Sequence, residues 1–211
     1  MTASRARIAI VDTGSGNLRS VQKALQVAGA EATITGDPQA VFAADKVVVP
    51  GQGAFGRVTE GLDKSGGALR QAVSESIGRG KPFFGMCLGL QVLFDGSEES
   101  PGCRGLGFVR GTVKRFALGP GYKVPHMGWN GCYTGPAADT PALAGFADET
   151  YFYFVHSYYP APEDERDVAL WSDYGHPFCA AVARDNVFAC QFHPEKSQSA
   201  GLSLLTRFVS G

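Results

Sequence analysis

The sequence predicts an α/β fold: a mostly parallel sheet covered by helices on both faces, with an antiparallel annex, in a single domain over residues 1–211. Three observations predict it. Short apolar runs alternate with helical patterns through the first half, as parallel strands joined by crossover helices require. The second half is a series of strand-like segments split by Gly, Pro and Asp, which favours antiparallel neighbours. Of the 211 residues, 44% are apolar and 18% charged, enough apolar surface for a packed core rather than a disordered chain.

The elements follow in order. Residues 7–11 (RIAIV) form a short apolar strand ending at Asp12 and the turn TGSGN. Asn17 can cap a helix to about residue 28, with Leu18, Val21, Leu25 and Ala28 at helical spacing. Residues 32–35 and 46–49 are the next strands, the latter stopped by Pro50-Gly51. A helix spans about 67–79, a strand 82–86, and a further helix starts at residue 88. Strands then follow at 108–116, 126–134, 151–157, 168–171, 178–184 and 187–191, with a hairpin turn at 184–186. A closing helix over 197–209 presents Leu202, Leu205 and Val209 as its apolar face.

Composition excludes several functions. The net charge of −1 provides no basic field for a phosphate backbone. The N-terminal stretch has no apolar leader core, and no run reaches the ~18 apolar residues of a membrane span, so a cytoplasmic protein is expected. Cysteines at 87, 103, 132, 179 and 190 are odd in number, with no CxxC pair, and the four histidines show no ligand spacing. Neither a disulfide framework nor a metal site is expected, and no cofactor.

Three motifs carry chemistry. In PFFGMCLGLQVLF an apolar strand ends at Met86, Cys87 follows, and a helix begins at once, with glycines at 85 and 89. This is the pattern of a nucleophile elbow with Cys in place of Ser. The tight turn leaves no room for side chains beside it, and the helix N-terminus favours the thiolate, the reactive form. The backbone N–H of Leu88 would point where an oxyanion forms. The competing reading is a buried cysteine packing a strand end.

In CQFHPEKS, His193 follows an apolar strand and Glu195 lies two residues on, so the carboxylate can orient an imidazole that shuttles protons for Cys87. GQGAFG at 51–56 matches GxGxxG literally. It follows the third strand rather than the first and is preceded by Pro50, so it reads as a backbone donor loop rather than a dinucleotide site.

Together, PGQG (50–53), GMCLGLQ (85–91) and QFHPEKS (191–197) resemble the triad, or class I, glutamine amidotransferases, in the same order and across most of the chain. Within that family the chain looks most like the glutaminase subunits of imidazole glycerol phosphate synthase, through DTGSGN (12–17), YFVHSYY (153–159) and above all PHMGWN (125–130), which is not expected in the anthranilate or GMP synthase relatives.

The resemblance implies the family's fold and the following roles. Cys87, His193 and Glu195 match the triad. Gly51, Gln52 and Leu88 match backbone positions serving the oxyanion. Gln91 and Glu99 match residues holding bound glutamine, with Glu98 the rival of Glu99, and Ser157 and Tyr158 flank the other side. Asn17, Pro125, His126, Trp129 and Asn130 match the face toward a synthase (cyclase) subunit similar to a (β/α)8 barrel, forming a heterodimer. Thr13 stands where the family usually carries Tyr. His156, on an apolar strand, reads as structural. Other readings of the same motifs are another synthase's glutaminase, a cysteine peptidase or esterase, and a non-catalytic binding subunit.

Overall fold

The computed structural model describes residues 5–211; the leader-free reading of the first four residues lies outside them. The first half of the chain supplies β1 (Arg7–Val11), α1 (Leu18–Val27), β2 (Glu31–Thr35), α2 (Pro38–Ala43), β3 (Lys46–Gly51), α3 (Phe55–Asp63), α4 (Ala68–Gly78), β4 (Phe83–Cys87) and α5 (Leu88–Gln91). The second supplies β5 (Gly96–Ser97), β6 (Gly111–Arg115), β7 (His126–Thr134), β8 (Thr150–His156), β9 (Tyr158–Pro162), β10 (Val168–Asp173), β11 (Pro177–Arg184), β12 (Val187–Cys190) and α6 (Gln198–Ser210).

Nine of these strands form one sheet in the order β2-β1-β3-β4-β12-β11-β10-β7-β8. The five from β2 to β12 run parallel, and the remaining pairings are antiparallel. A small second sheet, β5-β6-β9, lies beside the main one. The expected fold class is therefore observed, and the join is specific. The β11–β12 hairpin turns at Asp185-Asn186 and inserts its second strand against β4.

Period-2 patterning accounts for helices on both faces. On β1, Ile8 and Ile10 pack toward Val21 and Leu25 of α1 and Leu204, Leu205 and Phe208 of α6. Ala9 and Val11 point oppositely, toward Val41 of α2, Phe55, Val58 and Leu62 of α3, and Val73 and Ile77 of α4. The first two helices carry side-chain caps. Asn17 Oδ1 accepts from Ser20 N (3.4 Å) at α1, and Asp37 Oδ1 accepts from Gln39 N (3.0 Å) at α2.

The structure corrects four expectations. β3 continues through Pro50 to Gly51, because its pairing with β4 extends to Gly51 opposite Cys87. Helices α2 and α3 occupy segments read as connections, and α3 starts inside the glycine-rich stretch. The chain after Ser157 forms β9, pairing with β6. On α6 the buried stripe is Gly201, Leu204, Leu205 and Phe208, while Leu202 is exposed. Among the described residues, no helix is long and apolar enough to cross a membrane.

Candidate active site

Three neighbouring parallel strands, β3, β4 and β12, end at the same edge of the sheet, the edge where open α/β sheets bind ligands. β3 delivers Gly51 and Gln52, β4 delivers Cys87, and β12 runs into Gln191 and His193. The three motifs separated in sequence thus meet at one place.

Cys87 has φ 54° and ψ −105°, a backbone that L-residues rarely adopt, between the end of β4 and the first turn of α5. The flanking glycines make this turn possible. A Cβ on Gly85 would lie 2.5 Å from Gly89 O, and one on Gly89 would lie 1.7 Å from Val49 O. The turn is therefore pressed against β3 with no space for even a methyl group. Leu88 opens α5, so its N–H has no partner within the helix.

His193 is held from both sides. Its N–H donates to Tyr153 O of β8 (2.9 Å), and its carbonyl accepts from Ser197 Oγ (2.6 Å). Pro194–Lys196 then forms a single 3-10 turn that brings Glu195 back, and Nδ1 lies 2.9 Å from Glu195 Oε1. Both side chains are almost fully buried. Nε2 and Glu195 Oε2 have no hydrogen-bond partner among the described residues. Burial pushes the His193 imidazole down, but its interactions with Cys87 and Glu195 outweigh this and hold it up at about 9. The arrangement suits an imidazolium beside the Cys87 sulfur.

A cavity of about 370 Å³ opens over Cys87 and His193. Gln52, Leu88, Gln91, Glu99, Ser157 and Tyr158 all line it, so the structure gathers the expected substrate residues around the thiol. Gly51 lies behind, buried in β3. The structure separates the two rival glutamates. Glu99 Oε2 accepts from Phe55 N (2.6 Å) at the cavity, whereas Glu98 is exposed and accepts from Arg115 N (2.8 Å).

The residues expected at a partner face divide. Asn17, Pro125 and Trp129 are exposed, Trp129 at 46%, and Asn130 is half-buried. His126 departs from that expectation: its ring is buried, stacked between Phe154 and Tyr174. Pro125 also lines the cavity. Thr13 is buried, its hydroxyl 3.1 Å from Ser15 Oγ, so this position is turned away from the surface.

Sequence reasoning missed two features. One is Gln191, fully buried, whose Nε2 lies 3.6 Å from Cys87 Sγ. The other is a histidine pair, placed side by side because β7 and β8 register His126 opposite His156. His156 Nδ1 donates to Tyr158 O (2.9 Å), which makes Nε2 the acceptor for His126 Nδ1–H (3.0 Å). His126 Nε2 then accepts from Asn130 Nδ2 (3.3 Å). Both acceptor nitrogens require neutral rings, and burial accordingly pushes His126 down to about 4 and His156 to about 3.

The pair predicts a pH dependence. Below pH 6.5 the unfolded chain binds protons that the folded histidines refuse until about pH 4 and 3. Their contribution is full above pH 6.5 and is lost as pH falls. His193 acts in another window: its contribution is full below pH 6.5 and lost as pH climbs toward 9. Between pH 6.5 and 5, urea unfolding should show stability falling by on the order of 2–3 kcal/mol. A flat unfolding midpoint across that window would contradict neutral buried rings.

Known proteins resemble this chain in sequence, and others in fold. The family model described as Glutamine amidotransferase class-I matches residues 9–210. The chain is 50% identical over 210 residues to imidazole glycerol phosphate synthase subunit HisH of Methylococcus capsulatus, covering 96% of this chain and 95% of the relative. It is 51% identical over 202 residues to the protein of the same name from Methanothermobacter thermautotrophicus, covering 96% and 97%. Among solved structures, PurLQS from Thermotoga maritima superposes with TM-score 0.75 at 19% identity, covering 98% of this chain and 99% of that one. A crystal structure of a glutamine amidotransferase gives 0.72 at 19% identity, covering 96% and 97%. At such identities these two establish the fold alone.

Proposed function

The chain belongs to the class I glutamine amidotransferases, and from that premise we propose that it is the glutaminase subunit of an imidazole glycerol phosphate synthase, acting as a single catalytic domain. The observation that carries the reading is the meeting of Cys87, the His193–Glu195 pair and the glycine-rich loop at one strand edge, over a cavity sized for a small polar substrate. The high-coverage relatives named as HisH subunits support the choice of synthase.

The reaction is acyl transfer. The Cys87 thiolate attacks the side-chain amide carbon of glutamine, while backbone N–H groups around Gly51, Gln52 and Leu88 stabilise the oxyanion. His193, as imidazolium oriented by Glu195, protonates the departing nitrogen, and ammonia leaves as the thioester forms. Neutral His193 then takes a proton from water, whose hydroxide cleaves the thioester. Glutamate leaves, and thiolate and imidazolium are restored. Gln91 and Glu99 hold the substrate on one side, Ser157 and Tyr158 on the other. The unpartnered Gln91 Oε1 is suited to accept an N–H of the bound amino acid.

The partner is a (β/α)8 cyclase subunit, docked as a heterodimer on the face carrying Asn17, Pro125, Trp129 and Asn130. Ammonia passes through its core and reacts, in the cytoplasm, with a phosphoribosyl imidazole-carboxamide intermediate. The products are imidazole glycerol phosphate and aminoimidazole carboxamide ribotide. The test is ammonia release from glutamine with and without the synthase barrel. Weak turnover alone that rises when the partner binds its ligand supports the assignment. High, partner-independent turnover overturns the subunit role, and no hydrolysis in the complex overturns the activity.

A further inference from the structure

The amide of Gln191 lies under the nucleophile, and its orientation follows from the groups around it. Gln91 Nε2 donates to Tyr158 O (3.1 Å), a carbonyl that can only accept. The second N–H of the same nitrogen donates to Gln191 Oε1 (3.0 Å). Gln191 therefore turns its nitrogen to the other side, 3.6 Å from Cys87 Sγ, where it can only donate. With both Gln91 N–H groups spent, Gln91 Oε1 is left buried, without a partner among the described residues, in a side chain lining the cavity.

We infer that Gln191 is a positioning residue for glutamine hydrolysis, donating a hydrogen bond to the Cys87 sulfur and locking the Gln91 amide with its oxygen toward the substrate. A donor at the sulfur favours thiolate over thiol. The locked Gln91 amide presents an acceptor whose missing partner is an N–H of the ligand, so it binds more strongly when an ammonium or amide group enters. Gln191 acts through Cys87 and Gln91 and needs no contact with substrate. The inference rests on the glutaminase reading for its substrate and on the hydrogen bonds above for its geometry.

The ionisable groups around the sulfur are His193 with Glu195 behind it, Cys190 on β12, and Glu99, Tyr158, His156 and Lys196 around the cavity. None is altered by Gln191→Met, which keeps similar bulk and removes both polar atoms. Two readouts then separate the two roles. One is the pH profile of Cys87 alkylation by iodoacetamide, followed on the Cys87 peptide by mass spectrometry. The other is KM and kcat for glutamine in the complex with the synthase subunit.

In Gln191→Met the alkylation midpoint should rise by about one pH unit while the limiting alkaline rate, a report on an intact cavity, stays near that of the wild type. KM should rise about ten-fold. Gln191→Asn, which withdraws the amide from both partners, should shift both in the same direction by less. An alkylation midpoint within about 0.3 unit of wild type in both variants overturns the role toward the sulfur. An unchanged KM overturns the role toward Gln91. Alkylation requires no hydrolysis, so a wild-type complex that leaves glutamine intact overturns the functional reading, and the midpoint still decides the place of Gln191.

Discussion

Cys87→Ala should lower glutamine hydrolysis in the synthase complex by roughly ten-thousand-fold or more, the scale on which loss of a nucleophile acts when its base and oxyanion donors remain. The variant should still fold. The side chain is only 6% exposed, but alanine keeps the Cβ and removes one atom, at a cost of about 1 kcal/mol, or ~2–4 °C of melting temperature for a chain of this length. A second signature accompanies the loss. The interaction with Cys87 helps hold His193 near 9, so in the alanine variant the imidazole should titrate at a lower pH, as followed by NMR of the ring protons. Glutamate production at wild-type rate by the variant would exclude Cys87 as the nucleophile.

Gly89→Ala should be among the most damaging single-methyl changes in the chain. The added Cβ would lie 1.7 Å from Val49 O, a backbone atom inside β3 that cannot swing aside as a side chain would. Relief requires parting α5 from β3, and with it the turn that holds the thiol against the cavity. We expect at least about 3 kcal/mol of destabilisation by urea unfolding. Activity should be lost even at temperatures where the variant is folded. Wild-type activity in a stable Gly89→Ala protein would mean that the elbow is looser than this packing allows.

The proposed trio was legible as a cluster because each member sits in a local pattern: a strand, a turn and glycines at fixed offsets around Cys87, and three consecutive positions linking His193 to Glu195. The parallel half was legible through its apolar alternation. α3 was not, although Phe55, Val58 and Leu62 have helical spacing, because the glycines that precede them read as loop. The face of α6 was misread because two apolar stripes compete. The close approach of Gly201 to Pro194 O, where a Cβ would lie at 1.9 Å, turns the stripe of Leu204 and Phe208 inward and leaves Leu202 outside. His126 and Gln191 escaped for another reason. Their roles depend on partners 30 and 104 residues away, and nothing local indicates which residues will face them.

The insertion of β12 between β4 and β11 also sets an order of events in time. β4 can pair with β3 as soon as both have been synthesised, and the elbow can close on glycines already present. Its other neighbour lies about a hundred residues further on, and long-range parallel pairings are slow to form. In a growing chain the Cys87 turn is therefore synthesised about a hundred residues before His193, its proposed proton shuttle. Under the proposed mechanism, reactivity waits for β12, the last strand in the chain, to pair with β4, so ammonia release would report that this distant pairing has formed.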